Sequence, residues 1–147
     1  MSTVTYKAVA KKTEGLAVEV NARGFKVVID EPVNAGGADT GMTPIELALG
    51  SLGSCQVITA LMVAPYHNID LEDIHVELEG DIDMDSLTGA SANAEKGFTE
   101  VRFNFHIKSS ASDEALKKLI DHVENMCPVG QSLLKEVEMG QTIITQN

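Results

Sequence analysis

The chain has 147 residues, of which 44% are apolar, 4% aromatic and none Trp; this suits one compact domain with an aliphatic core and excludes a disordered chain. A net charge of -11 lacks the clustered Lys and Arg that nucleic acid or an anionic membrane surface requires, and it favours small or neutral partners. The opening stretch MSTVTYKAVAKK holds no apolar run, so no export signal is expected, and two cysteines in such a chain point to the reducing cytoplasm.

Residues 3–30 predict a three-stranded meander. Val18 and Val20 flank Glu19, and Phe25, Val27 and Ile29 alternate with Lys26 and Val28. Gly15 and Ala22-Arg23-Gly24 supply the turns. The stretch NAGGADTG, residues 34–41, is a loop; it lacks the Walker spacing, its Lys and the G-x-G-x-x-G order of a phosphate cradle.

A helix then starts on a clear signature. Thr43 is the N-cap, Pro44 occupies the first turn and Glu46 completes a capping box. The helix is expected to run to about Ala64, with Pro65 and Tyr66-His67-Asn68 ending it. It is apolar almost all round, so protein should cover both sides. Ser51, Ser54, Gln56 and Thr59 interrupt the apolar run, which favours a buried core helix over a membrane span. Gly50 and Gly53 make sense where another backbone comes close.

Residues 73–82 alternate through Ile74, Val76 and Leu78, and a polar loop is expected over Met84 to Lys96. Val101, Phe103, Phe105 and Ile107 alternate strictly with polar residues, predicting a strand with one wet face. Ser112 caps a second helix whose apolar stripe is Leu116, Leu119, Ile120, Val123 and Cys127. Pro128 breaks that helix; a short turn over Gly130 to Lys135 and a last strand over Val137 to Thr145 follow. Grouped strands and helices argue for an α+β fold, with no internal repeat or linker in residues 1–147.

Two residues could carry chemistry. Cys55 lies midway along the first helix, in GSLGSC, and Cys127 at a helix junction, in MCPV. The plainer reading of each is a packed core cysteine. If the two helices pack, the sulfurs could meet. One thiolate would then attack a peroxide O–O bond and the second thiol would condense with the sulfenic acid. Such a thiolate needs a positive neighbour. Arg23 lies in a turn and Arg102 on a polar strand face, and surface roles account for both, as they do for Lys11 and Lys12. Glu46 could orient a cation, although its cap role already explains it. At ~3.6 residues per turn it falls roughly opposite Cys55 on a straight helix. His67, His75, His106 and His122 show no metal spacing, no C-x-x-C occurs, and no G-x-S-x-G elbow is present. Neither a metal nor a cofactor is expected.

Together the loop GGADTGMTPIEL, the helix segment GSLGSC at Cys55 and MCPV around Cys127 resemble the OsmC/Ohr superfamily, and the element order is similar over nearly the whole chain. The resemblance implies an antiparallel curved sheet wrapped around a long central helix, in an intertwined homodimer with sites at the subunit interface. It implies a thiol peroxidase that reduces organic hydroperoxides, recycled by an external thiol, in oxidative or osmotic stress. Cys55 would be the peroxidatic and Cys127 the resolving cysteine, with Glu46 and Arg23 in supporting places. Two departures are visible. The residue after Pro44 is Ile45, where peroxidase members carry Glu, and the Gly-rich loop holds no Arg. The other reading is an OsmC-fold protein with little peroxidase activity that binds a small hydrophobic ligand at the dimer cleft.

Overall fold

The computed structural model describes residues 2–135 and 139. The last strand expected over Val137 to Thr145 therefore lies outside the described residues. Contacts divide the chain into two compact units, Met1–Gly50 and Ser51–Asn147.

In the first unit, β1 (Val9–Lys12), β2 (Val18–Ala22) and β3 (Phe25–Ile29) form an antiparallel meander in the order β1-β2-β3. Ala22 pairs with Phe25, so Arg23 and Gly24 alone make the second turn, at φ 57° and 91°. Two positive φ values give the turn whose twist matches a hairpin, and the Asn21 side chain accepts from the Gly24 N–H at 3.1 Å.

The Gly-rich segment is organised from within by Asp30, which is 2% exposed. Its carboxylate accepts from the Glu31 N–H at 2.8 Å, the Ala38 N–H at 3.2 Å, the Thr40 N–H at 3.1 Å and the Thr40 hydroxyl at 2.7 Å. A Cβ at position 37 would run into the Glu31 backbone, so this close approach demands Gly37. The Ala38 and Thr40 amides thus already serve a carboxylate of the chain itself and are not free to cradle an anion.

Those donors hold the Asp30 carboxyl below its ordinary value of 3.8, the Thr40 hydroxyl contributing most, while burial opposes them. A folded pKa below the unfolded one stabilises fully above the unfolded value, and that contribution is lost as pH falls through the folded value. Protection of the Ala38 and Thr40 amides, corrected for intrinsic exchange, should therefore decline as pH falls below about 3.9. An Asp30→Asn chain should show the same low protection already at neutral pH. Undiminished protection in that variant would mean that the carboxylate does not hold the loop.

The first long helix, α1 (Pro44–Val63), starts as its signature requires. The Thr43 Oγ1 accepts from the Glu46 N–H at 3.2 Å and the Glu46 carboxylate accepts from the Thr43 N–H at 2.7 Å. A 3-10 turn over Ala64–His67 ends it, closed by Asn68 at φ 54°. By length and composition alone, the helical stretch Pro44–His67 is long and apolar enough to cross a membrane. It nevertheless buries Leu52, Gln56, Thr59, Ala60 and Val63 within the protein, as a core helix does. Among the described residues only one side of α1 is covered, however. Ile58, Leu61 and Met62 are 57%, 51% and 69% exposed.

The glycines of α1 also differ from expectation. Gly53 lies against the side chain of Leu78 rather than another backbone, and among the described residues nothing approaches a Cβ placed on Gly50.

The second unit holds the ribbon β4 (Asp73–Ile82) with β5 (Phe98–Lys108), antiparallel and bulged between Asp81 and Ile82. Ile74, Val76 and Leu78 face inward, and Asp73, His75, Glu77, Glu79 and Asp81 face solvent. The polar stretch between the strands contains a short helix, α2 (Met84–Thr88), where a loop was expected. The Asp83 carboxylate caps it by accepting from the Asp85 N–H at 2.9 Å, and Gly89 closes it at φ 71°. Five residues are too few to carry a helical apolar period, which is why only the cap marks it.

Next, α3 (Asp113–Met126) is capped by Ser112, and α4 (Pro128–Leu133) follows at once. Leu119 and Val123 are fully buried and pack with Ala60, Val63, Ala64 and Ile69 into the core of this unit. Outside that core, His67 Nε2 and His122 Nδ1 lie 2.8 Å apart, tying the end of α1 to α3.

Candidate active site

Cys55 and Cys127 are both free thiols. Cys55 sits half-buried in α1, one residue before Gln56. Cys127 is fully buried and links two helices, as the C-cap of α3 and the N-cap of α4. Pro128 enforces that junction: it cannot continue α3, yet it is well placed to start α4. The Cys127 sulfur accepts from the Gly130 N–H at 3.4 Å, which makes the thiol the capping group of α4.

Cys127 lies where α4 meets α1: a Cβ on Gly130 would stand 3.5 Å from both the Cys127 sulfur and the side chain of Leu52, which precedes Cys55 by about one turn. Burial pushes the Cys127 thiol up most, and the hydrogen bond and charge of Cys55 push it further, against the amides of Gly130 and Val129. At neutral pH Cys127 is therefore held as the protonated thiol, while Cys55 is the one with partial access to solvent.

A pocket of about 530 Å³ opens beside Cys127, with Leu52, Val101, Phe103 and Leu133 in its apolar wall and Gln56, Thr99, Glu100 and Glu124 among its polar lining. Gln56 is 2% exposed, and its carbonyl oxygen has no hydrogen-bond partner among the described residues. A buried amide oxygen left unpaired costs about 1–3 kcal/mol unless something donates to it. This residue was missed from the sequence. The available signal was an amide on the buried side of α1, one turn after Leu52 and next to Cys55.

Glu46 and Arg23, the supporting residues expected from the sequence, both have local partners. Glu46 closes the capping box at Thr43. The Arg23 guanidinium lies over the Phe25 ring, 5.4 Å from its centroid. Arg102 lies on the exposed face of β5 and pairs with Asp81 at 2.6 Å, Glu100 at 2.9 Å and Glu79 at 3.4 Å. Asp81 stabilises its charge, and Arg102 in return holds the Asp81 carboxyl below the usual aspartate range.

An α+β chain with antiparallel sheets, one long helix and two free thiols, one of them lining a pocket, defines a class of small thiol-bearing proteins. Within that class, the OsmC-like protein family matches residues 36–140 of this sequence, and the chain belongs to it. A hydroperoxide reductase of Mycoplasma pneumoniae is 26% identical over 93 residues, 63% of this chain, and the match spans 62% of that relative's length. The fold is that of the crystal structure of an OsmC-like protein from Mycoplasma pneumoniae, with a TM-score of 0.80 at 22% identity, covering 90% of this chain and 89% of the other. It is similar also to an organic hydroperoxide resistance protein from Elizabethkingia anophelis, with a TM-score of 0.68 at 22% identity, covering 89% of each chain.

Proposed function

We propose that this chain is a thiol peroxidase that reduces organic hydroperoxides through a sulfenic acid–disulfide cycle at Cys55 and Cys127. The observation that carries the reading is that α4 meets α1 near both thiols, with Cys127 and Leu52 packed at Gly130 and lining one pocket. The relative named as a hydroperoxide reductase supports the same chemistry.

The thiol environments favour one division of roles. Attack on an O–O bond needs a thiolate with access, which favours half-buried Cys55 over Cys127, whose thiol is buried and pushed up. The Cys55 sulfur takes the distal oxygen of ROOH, the O–O bond breaks, and the departing alkoxide takes a proton to leave as ROH. Cys55 is then a sulfenic acid. The Cys127 sulfur attacks that sulfur, its proton leaves with the hydroxyl as water, and a disulfide forms. An external dithiol returns both residues to thiols and is itself oxidised to a disulfide. Leu52, Val101, Phe103 and Leu133 would seat the organic part of the substrate, which favours organic hydroperoxides over hydrogen peroxide.

The reading includes a single domain, because the family match runs across the boundary between the two units. It includes a cytoplasmic location with a role in oxidative or osmotic stress. It also includes a homodimer, in which the bare side of α1 would be covered by a second copy. Glu46 and Arg23 would support the thiols only by leaving the local partners described above.

A second reading is favoured by a specific observation. The pocket wall contains Cys127 rather than Cys55, and Gln56 offers it an unused acceptor. That geometry suits a protein of this fold that holds a small apolar ligand with one hydrogen-bond donor and turns over little peroxide. One experiment separates the two. The reduced protein is mixed with cumene hydroperoxide and its free thiols are counted over time. Rapid loss of both thiols of each chain, reversed by dithiothreitol, is expected. Loss no faster than that of free cysteine would remove the peroxidase and leave the ligand-binding reading.

A further inference from the structure

The solvent face of the β4–β5 ribbon carries a group of side chains that the thiol chemistry does not use. His75 and His106 are direct cross-strand partners. Their rings stack with centroids 4.5 Å apart and planes 7° from parallel. Glu77 lies two residues after His75 on the same face, and its carboxylate meets His106 Nε2 at 3.0 Å. The three side chains each offer a ligand atom, and these atoms all lie within 4.8 Å of one another. All three residues are exposed, so an ion could reach them without opening the fold.

We propose that His75, Glu77 and His106 form a surface site for a divalent transition-metal ion, with zinc as the representative case and water completing the coordination. Two imidazoles and one carboxylate suit zinc, nickel or copper(II), and are poorly matched to calcium or magnesium, which take oxygen ligands. Zinc–nitrogen and zinc–oxygen distances of about 2.0–2.2 Å leave tetrahedral donors roughly 3.3–3.5 Å apart. The widest pair must therefore close by little more than an ångström, within reach of rotations about exposed side-chain bonds. The backbone needs no change, because the strand register already places the two rings opposite each other.

The surrounding charge favours a cation. Asp73, Glu79, Asp81 and Glu100 share this face with Glu77. The two cations of the same face are engaged elsewhere: Arg102 with Asp81, Glu100 and Glu79, and Lys108 with Glu72. No sequence spacing announces the site, since His75 and Glu77 are separated by one residue and His106 comes from the other strand. Only the pairing brings the three together.

The test uses the tag-free full chain, stripped of metal by chelator. Because Cys55 and Cys127 can also bind zinc, calorimetric titration with Zn2+ is run on a Cys55→Ser/Cys127→Ser chain. One ion per chain is expected. His106→Gln or His75→Gln should weaken binding by about tenfold or more, no less than the loss seen on removing an outer-shell partner. Asn104 pairs with Glu77 across the ribbon; Asn104→His adds a fourth donor on this face and should tighten binding.

A second measurement does not depend on the cysteine substitutions. Substoichiometric Ni2+ added to the unsubstituted chain should broaden the amide signals of residues 75, 77, 104 and 106, and His106→Gln should abolish that broadening. Absence of binding to the stripped double variant, equal affinity in the His variants, or broadening centred elsewhere would each overturn the site.

Discussion

A Cys55→Ser chain should consume no organic hydroperoxide above the uncatalysed background. A hydroxyl at position 55 supplies no thiolate to attack the O–O bond, and Cys127 alone is buried and protonated. Cys127→Ser should behave differently. Its first oxidation should proceed, because Cys55 remains, but nothing then closes the disulfide. The sulfenic acid should accumulate, be trapped by dimedone, and pass to sulfinic acid under excess peroxide. Mass spectrometry of intact protein reads all of these states. Normal peroxide consumption by Cys55→Ser, with Cys127→Ser inert, would reverse the two roles. Because Cys127 also caps α4 and packs in the core, thermal melts of both variants establish that a folded chain is being compared.

The second large effect concerns α1. Sedimentation at micromolar concentration should give a particle near twice the 15.7 kDa of the chain. Ile58, Leu61 and Met62 recur at a spacing that puts them on one helix face, and all are exposed. Their bare apolar surface is the kind that a partner buries. Leu61→Lys with Met62→Lys would place two unpaired charges in that contact, and the dimer should give way to a species near the mass of one chain. A monomeric unsubstituted chain would remove the homodimer. A double variant that dimerised as tightly as the original would move the contact elsewhere.

Much of the fold was legible because its signals are local. The Thr43–Glu46 capping box, the Ser112 cap, the alternation over Ile74, Val76 and Leu78, and the break at Pro128 each depend on atoms within a few residues of one another. The structure bears out each of them. Two short elements were missed among the described residues, a 3-10 turn over Val33–Ala35 and α2; the latter is declared by Asp83 and Gly89 with no apolar period behind it. The Gly-rich loop was recognisable as a loop, but not the carboxylate that shapes it. Asp30 reaches forward eight and ten residues to Ala38 and Thr40, a span at which the chain has no fixed geometry until it folds.

The candidate site divides in the same way. Cys55 and Cys127 could be singled out from their neighbours in the sequence, and so could Glu46 and Arg23. That Cys127 lines a pocket, that the Gln56 oxygen finds no partner among the described residues, and that His75 and His106 stack across a ribbon could not be read there. The same holds for Arg23 lying over Phe25 and for the open side of α1, since apolarity all round a helix says nothing of which chain will cover it.

The sequence by itself thus determined the caps, turns, breaks and strand faces, and with them the order of elements. These follow from steric and hydrogen-bonding preferences between near neighbours, which act before any tertiary contact forms. Only the tertiary structure decided which thiol is buried and which has access, what lines the pocket, and which histidines share a face. Those outcomes depend on strand register and helix packing between residues far apart in the chain, where a shift of one residue would send each side chain to a different neighbour.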